Sequence, residues 1–401
     1  MMQKRLFGVL LGLVGVVASC GQSPTAVGTA ASDKATNAPP PTLSAVSAPS
    51  PATSVAVAPP VPEKTCGMPK SLPKPDWPKK LEPTTSTEPD PFVPGSVTVA
   101  VVPDTQYYID CRSAHFRKQV EWIMAQRATR DIRAAVTLGD LTEHNFKEEW
   151  EFYKESLKPL DPTFPYLLTL GNHDYGDNGS ANSRKSFLGE FFDGKFVEKM
   201  KANVETAEPG KLENAFYTID MGKFSLGVLI LEWSTRKNTL AWANEVLKKH
   251  PKERIMMATH AYLYSDSTRY DFKKKGTSQE WNPLAYPTAK SDGAGEDNHD
   301  GEMVWQSLLK KYPNVFLTVN GHVLNNGTGL LASKGDKGNT VHQMMVNYQM
   351  LDEGGLGYLR LLEFLPDGKT MRVKSYSPSL GVYATAKEQD FKLTIDPPLW
   401  K

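Results

Sequence analysis

Five short apolar runs in this chain, at 97–102, 134–138, 166–170, 254–258 and 315–319, each give way within a few residues to a side chain that can bind an ion or carry a proton. The runs are apolar at consecutive rather than alternate positions, so both faces of each strand have to be covered. Amphipathic stretches at 113–128, 146–157, 239–250 and 302–311 supply helices to cover them. Further strands are expected at 215–219 and 225–231, joined by a Met-Gly turn. A closing run of three is expected at 341–348, 358–364 and 371–376, the last two linked by Pro366-Asp367-Gly368. The order reads as an α/β fold with a β-rich end. Open sheets of that class hold ligands beyond the carboxyl ends of their strands, which directs attention to the five loops.

Those loops hold Asp104 and Gln106 after the first run, Gly139-Asp140 after the second and Gly171-Asn172-His173-Asp174 after the third. His260 follows the fourth and Gly321-His322 the fifth. Glycine, lacking a Cβ, lets the backbone turn sharply at a strand end so that the next side chain points into the crevice. Carboxylates, an amide oxygen and imidazoles converging on one crevice suit divalent transition metals or Mn-like ions. A carboxylate shared by two such ligand sets can bridge two cations, an arrangement that clamps a phosphate and acidifies a bound water.

The N-terminal quarter follows a different regime. Of the 30 prolines, 17 lie between Pro24 and Pro94, which leaves 13 for everything after Gly95. Lys4 and Arg5 precede an apolar run at 6–17 that ends in small residues and Cys20, the pattern of an export signal too short to span a bilayer. Val17-Ala18-Ser19-Cys20 resembles a bacterial lipobox, which implies lipidation at Cys20; an ordinary signal peptide is the other reading. Residues 21–94, rich in Pro, Ala, Ser and Thr, cannot bury enough surface to order themselves and are expected to be a disordered tether. The expected organisation is therefore a signal at 1–20, a tether at 21–94 and a folded domain at 95–401, held by a lipid anchor at the cell envelope, periplasmic or surface-exposed. Export would permit a Cys66–Cys111 disulfide, with free thiols as the alternative. After the leader and tether are subtracted, the domain holds 38 basic and 39 acidic residues, a poor match to a polyphosphate backbone, and no nucleic-acid partner is expected.

The order Asp-x-Gln, Gly-Asp, Gly-Asn-His-Asp, His, Gly-His resembles the calcineurin-like metallophosphoesterase superfamily over Pro103 to Val323. The resemblance implies two packed mixed β-sheets flanked by helices, a four-layer αββα sandwich. It also implies an exported metal-dependent hydrolase of phosphate mono- or diesters, working through a metal-bound hydroxide. By the same resemblance Asp140 would bridge two metals, Asn172, His260 and His322 would complete one site, and Asp104 would serve the other. His173 would be the general acid, oriented by Asp174.

Two departures fall on one metal. The family usually has His where this chain has Gln106, and a second His where it has Leu324. That site is left with Asp104, Asp140 and Gln106, with an amide from Asn325 or Asn326 as a further candidate. Such oxygen donors favour Mg, Ca or Mn, whereas the mixed site suits Zn, Fe or Mn, so one or two divalent ions are expected. The loss of two imidazoles motivates an alternative, a non-catalytic surface binding protein with one structural metal. His144, four residues after Asp140, either faces substrate or caps a helix. The long stretch 261–300, with Tyr262 and Arg269, reads either as a substrate-binding lid or as a surface excursion packed by its own aromatics. Asn347-Tyr348-Gln349 either faces the crevice or closes the sheet edge.

Overall fold

A computed structural model describes residues 91–291 and 297–400; the leader with Cys20, Cys66 and the tether to residue 90 lie outside them. The described residues build two large mixed sheets. In the first, Val97–Val102 pairs in parallel with Ile132–Thr137, which pairs in parallel with Tyr166–Leu167. On its other side Val97–Val102 runs antiparallel to Leu359–Phe364, and Thr370–Ser377, Val382–Ala384 and Asp390–Thr394 extend that edge. In the second, Ser225–Ile230, Arg254–Ala258, Val315–Asn320 and Thr340–Val346 are mutually parallel, with antiparallel strands at both edges.

Alternation along the strands sets the layers. In Arg254–Ala258, Met256 and Ala258 join the main core together with Val99, Val101 and Val136 of the first sheet, whereas Ile255 and Met257 join a second core with Leu240, Ala243 and Leu247 of the helix Lys237–Lys249. Successive strand side chains face opposite ways, so one sheet serves two cores. The helices His115–Gln126 and Lys147–Ser156 cover the first sheet, with Phe116 stacked on Tyr153 at 4.5 Å between ring centroids. The layering is helix, sheet, sheet, helix.

Most expected elements are present, but the closing run of strands is divided: Thr340–Val346 belongs to the second sheet, and its two successors to the first. Strands at Asn203–Thr206, Thr328–Lys334, Val382–Ala384 and Asp390–Thr394 were not expected. They are edge strands, either only three residues long, as Val382–Ala384, or carrying several exposed and half-buried positions, so they lack the apolar runs of their buried neighbours. Cys111 is disulfide-bonded to a partner outside the described residues.

One buried carboxylate locks the second sheet to its helix. Glu232, in the loop after Ser225–Ile230, is 1% exposed. Its Oε1 accepts from Arg236 Nε at 3.0 Å and Thr239 Oγ1 at 2.6 Å, and its Oε2 from Arg236 Nη2 at 2.9 Å. Burial works to raise its pKa, but Arg236, Arg184 and Thr239 outweigh burial and hold it below the ordinary range. Glu232→Ala is expected to cost about 1–3 kcal/mol in chemical denaturation, because it removes the acceptor from Thr239 and from the half-buried Arg236 and Arg184. Because the folded-state value is depressed, this stabilisation is complete above the ordinary Glu range and is lost as pH falls through the lower folded value.

Candidate metal centre

The parallel strands of both sheets point their carboxyl ends at one crevice. From the first sheet come Asp104 and Gln106, Asp140, and Asn172; from the second come His260 and His322. All six side chains are buried. Ligand atoms of Asp140, His260 and His322 lie within 4.8 Å of one another.

The two imidazoles are oriented by main-chain carbonyls. His260 Nδ1 lies 2.7 Å from Leu138 O and His322 Nε2 lies 2.7 Å from Trp281 O, so each of these nitrogens is a donor. In the neutral rings the remaining nitrogens, His260 Nε2 and His322 Nδ1, both carry lone pairs, and they face each other at 3.1 Å. Asp140 Oδ2 stands 3.1 Å and Asn172 Oδ1 3.2 Å from that same His260 nitrogen. Four electron-rich atoms around one point need positive charge among them, and a divalent cation fits this mixed N/O set. The local electrostatics point the same way. Burial works to lower the pKa of His260, but Asp140 and Asp104 more than compensate and push it up to about 9. His322 falls to about 3 through burial and then the charge on His260.

Beside this set, Asp104 Oδ1 and Gln106 Oε1 are buried without a protein partner. Asp104 is pushed up to about 7, first by burial and further by Asp140, with His260 pulling the other way. Its other oxygen accepts from the His322 N–H at 2.9 Å and from Asn347 Nδ2 at 2.8 Å. Two orphaned oxygen acceptors beside Asp140 fit a second, oxygen-only cation position. Asn347 therefore faces the crevice. Asn325 donates to Tyr264 and Ser265, and Asn326 Oδ1 accepts the Thr328 N–H, so neither replaces the missing imidazole at Leu324.

A match to the model of calcineurin-like phosphoesterases covers residues 97–326 and takes in all six of these ligands. The chain belongs to the calcineurin-like phosphoesterase family. It is 29% identical over 308 residues to an uncharacterized protein of Bacillus subtilis, YvnB, a match covering 73% of this chain and 21% of that one; the chain thus spans about a fifth of that relative's length. Among solved structures it is similar to purple acid phosphatase PPD1 from yellow lupin seeds, at 17% identity over 77% of this chain and 55% of that one, with a TM-score of 0.44. It is also similar to a dimetal phosphatase from Danio rerio, at 12% identity over 77% of this chain and 100% of that one, with a TM-score of 0.41.

Against the family pattern, the orientation of His173 has to be corrected. Asp174 does not serve it: both carboxylate oxygens are taken by the N–H groups of Gly171, Leu141 and Thr142 and by the Thr142 hydroxyl. Asp174 is a buried clamp between two ligand-bearing loops. His173 instead gives its Nδ1 proton to Glu143 O at 2.8 Å, with the Glu143 carboxylate 3.5 Å away, and its backbone N–H to Asp140 Oδ1 at 2.9 Å. Glu143, three residues beyond Asp140, went unnoticed in the sequence because an acidic loop residue has no spacing of its own to mark it.

The expected substrate contacts also change. Tyr262 is fully buried in the second core and donates to Gln343 Oε1 at 3.2 Å. Arg269 binds Glu302, Ser333 and Gln343 and lies over the Trp305 ring. Both serve packing, tied to Gln343, Glu302, Ser333 and Trp305 beyond the excursion. His144 stacks on Phe146, and its Nδ1 lies 3.0 Å from Glu149 Oε1, at the start of the helix Lys147–Ser156. It engages the helix cap rather than the ligand cluster.

The loop glycines have a reason beyond turning. A Cβ on Gly321 would lie 2.0 Å from Asp104 Oδ1, and one on Gly171 would lie 2.1 Å from Asp140 Oδ1, while neither residue has positive φ. Space for a carboxylate is what they provide. Asp140 and His322, by contrast, have φ of 48° and 72°, a strain of about 1–3 kcal/mol each that is typical of functional positions. Gly321→Ala is expected to displace Asp104 and lower metal stoichiometry, measured by elemental analysis. Arg269→Ala is expected to lower the melting temperature and leave KM unchanged.

Proposed function

We propose that the chain is exported, anchored through lipid at Cys20 to the bacterial envelope, and hydrolyses phosphate mono- or diesters with His173 as the proton donor to the leaving oxygen. The observation that carries the mechanism is the state of the His173 ring. With Nδ1–H committed to a main-chain carbonyl, Nε2 is the nitrogen left to exchange a proton, on a side chain that is 31% exposed. Burial works to lower its pKa, but Asp140 and Glu143 outweigh burial and raise it above the ordinary imidazole value, which favours the protonated, donating ring.

Divalent cations held by Asp140, Asn172, His260 and His322, and by Asp104, Gln106 and Asp140, would supply the charge that binds phosphoryl oxygens and acidifies the attacking water. The mixed set suits Zn, Fe or Mn and the oxygen-only set Mg, Ca or Mn. Asp140 serves both sets and also fixes the His173 backbone, which ties proton delivery to ligand geometry. The leader and lipobox-like Cys20 support export and anchoring, and the near-neutral domain supports a phosphate-ester substrate other than a nucleic acid.

His173→Ala is expected to lower kcat by about 10²–10⁴ while metal content stays that of the wild type. An alkyl phosphate should suffer more than a 4-nitrophenyl phosphate, whose leaving group needs no protonation. A wild-type chain that turns over no aryl phosphate mono- or diester with Mn, Zn, Mg or Ca would replace this reading with that of a non-catalytic binding protein.

A further inference from the structure

We infer that Glu143 is a positioning residue that turns Gln106 into an oxygen ligand, so that a crevice lacking two of the usual imidazoles can still hold its first cation. The inference rests on the two-cation reading above. An amide side chain is nearly symmetric in shape, yet only its oxygen end can ligate, so something has to choose which end faces the metal position. Glu143 makes that choice. Its Oε2 accepts from Gln106 Nε2 at 2.8 Å, and a carboxylate cannot donate to the amide oxygen, so the reversed amide would set two acceptors against each other.

Gln106 Oε1 is consequently held away from Glu143, where it is buried without a protein partner, two residues along one loop from the equally unpartnered Asp104 Oδ1. A buried acceptor left unpaired is costly, and a cation between the two would offset both. The negative charge behind the amide also strengthens its oxygen as a ligand, in the way that outer partners raise the basicity of groups they bind. Glu143 is itself fixed from behind. Its side chain is 12% exposed, and its carbonyl carries His173 Nδ1–H. Gly179 packs so close that a Cβ there would lie 2.3 Å from that carbonyl oxygen.

The test is a Mn²⁺ titration of the full chain, read by calorimetry and by electron paramagnetic resonance, which separates a coupled Mn pair from a single ion. The wild type is expected to bind two ions in steps of unequal affinity. Glu143→Ala and Gln106→Leu should each weaken the weaker step by about 10–100-fold, leaving the tighter step intact as internal proof of folding. The double variant should bind no more weakly than Gln106→Leu alone, because Glu143 acts through Gln106. Glu143→Gln, which can still accept from Gln106 Nε2, should retain more affinity than Glu143→Ala. Additive losses in the double variant, an unchanged Glu143→Ala, or equal losses in Glu143→Gln and Glu143→Ala would each overturn the inference. A wild type that binds a single Mn²⁺ would instead overturn the two-cation reading on which it stands.

Discussion

Asp140 places a negative charge where the carboxyl ends of two sheets meet, and the surrounding loops are arranged around it. One oxygen receives the His173 backbone N–H, the other approaches His260 Nε2, and its main-chain carbonyl accepts from Thr105. Contacts from three other loops thus converge on one residue held at an uncommon φ. A lone buried carboxylate is costly. Here the cost is offset by donors from the backbone and by positive charge on the side of His260 Nε2, which a proton or a divalent cation supplies.

Main-chain carbonyls set the protonation of every imidazole in the crevice: Leu138 O for His260, Trp281 O for His322 and Glu143 O for His173. Backbone acceptors are insensitive to side-chain substitution, so tautomer choice is built into the path of the chain. Asp174 complements them. Its four donors staple the Gly171 loop to the Leu141 loop, which keeps Asn172 and Asp140 at a constant separation without touching any imidazole ring.

The apolar runs, the strand-end loops and the polar side chains that gather in the crevice were legible in the sequence because each is a local signal: consecutive buried residues, then a glycine and a polar side chain. Other features depend on contacts between residues 37 to 243 positions apart. Asn347 reaching Asp104 and Glu143 reaching Gln106 have no spacing that announces them. Tyr262 and Arg269 were misjudged for a related reason, since aromatic and cationic residues beside a ligand loop look the same whether they face a crevice or a core. The motif also suggested a His173–Asp174 pair by adjacency, whereas the 3₁₀ turn at Asn172–Asp174 sends the two side chains to different neighbours.

The carbonyl of Trp281 lies in the excursion between His260 and the helix Gly301–Ser307, and it holds a ligand imidazole by its far nitrogen. The seat of this imidazole is therefore built partly by a segment whose described residues contribute no strand to either large sheet, and the backbone path around Trp281 is as much a part of the crevice wall as the strand ends are.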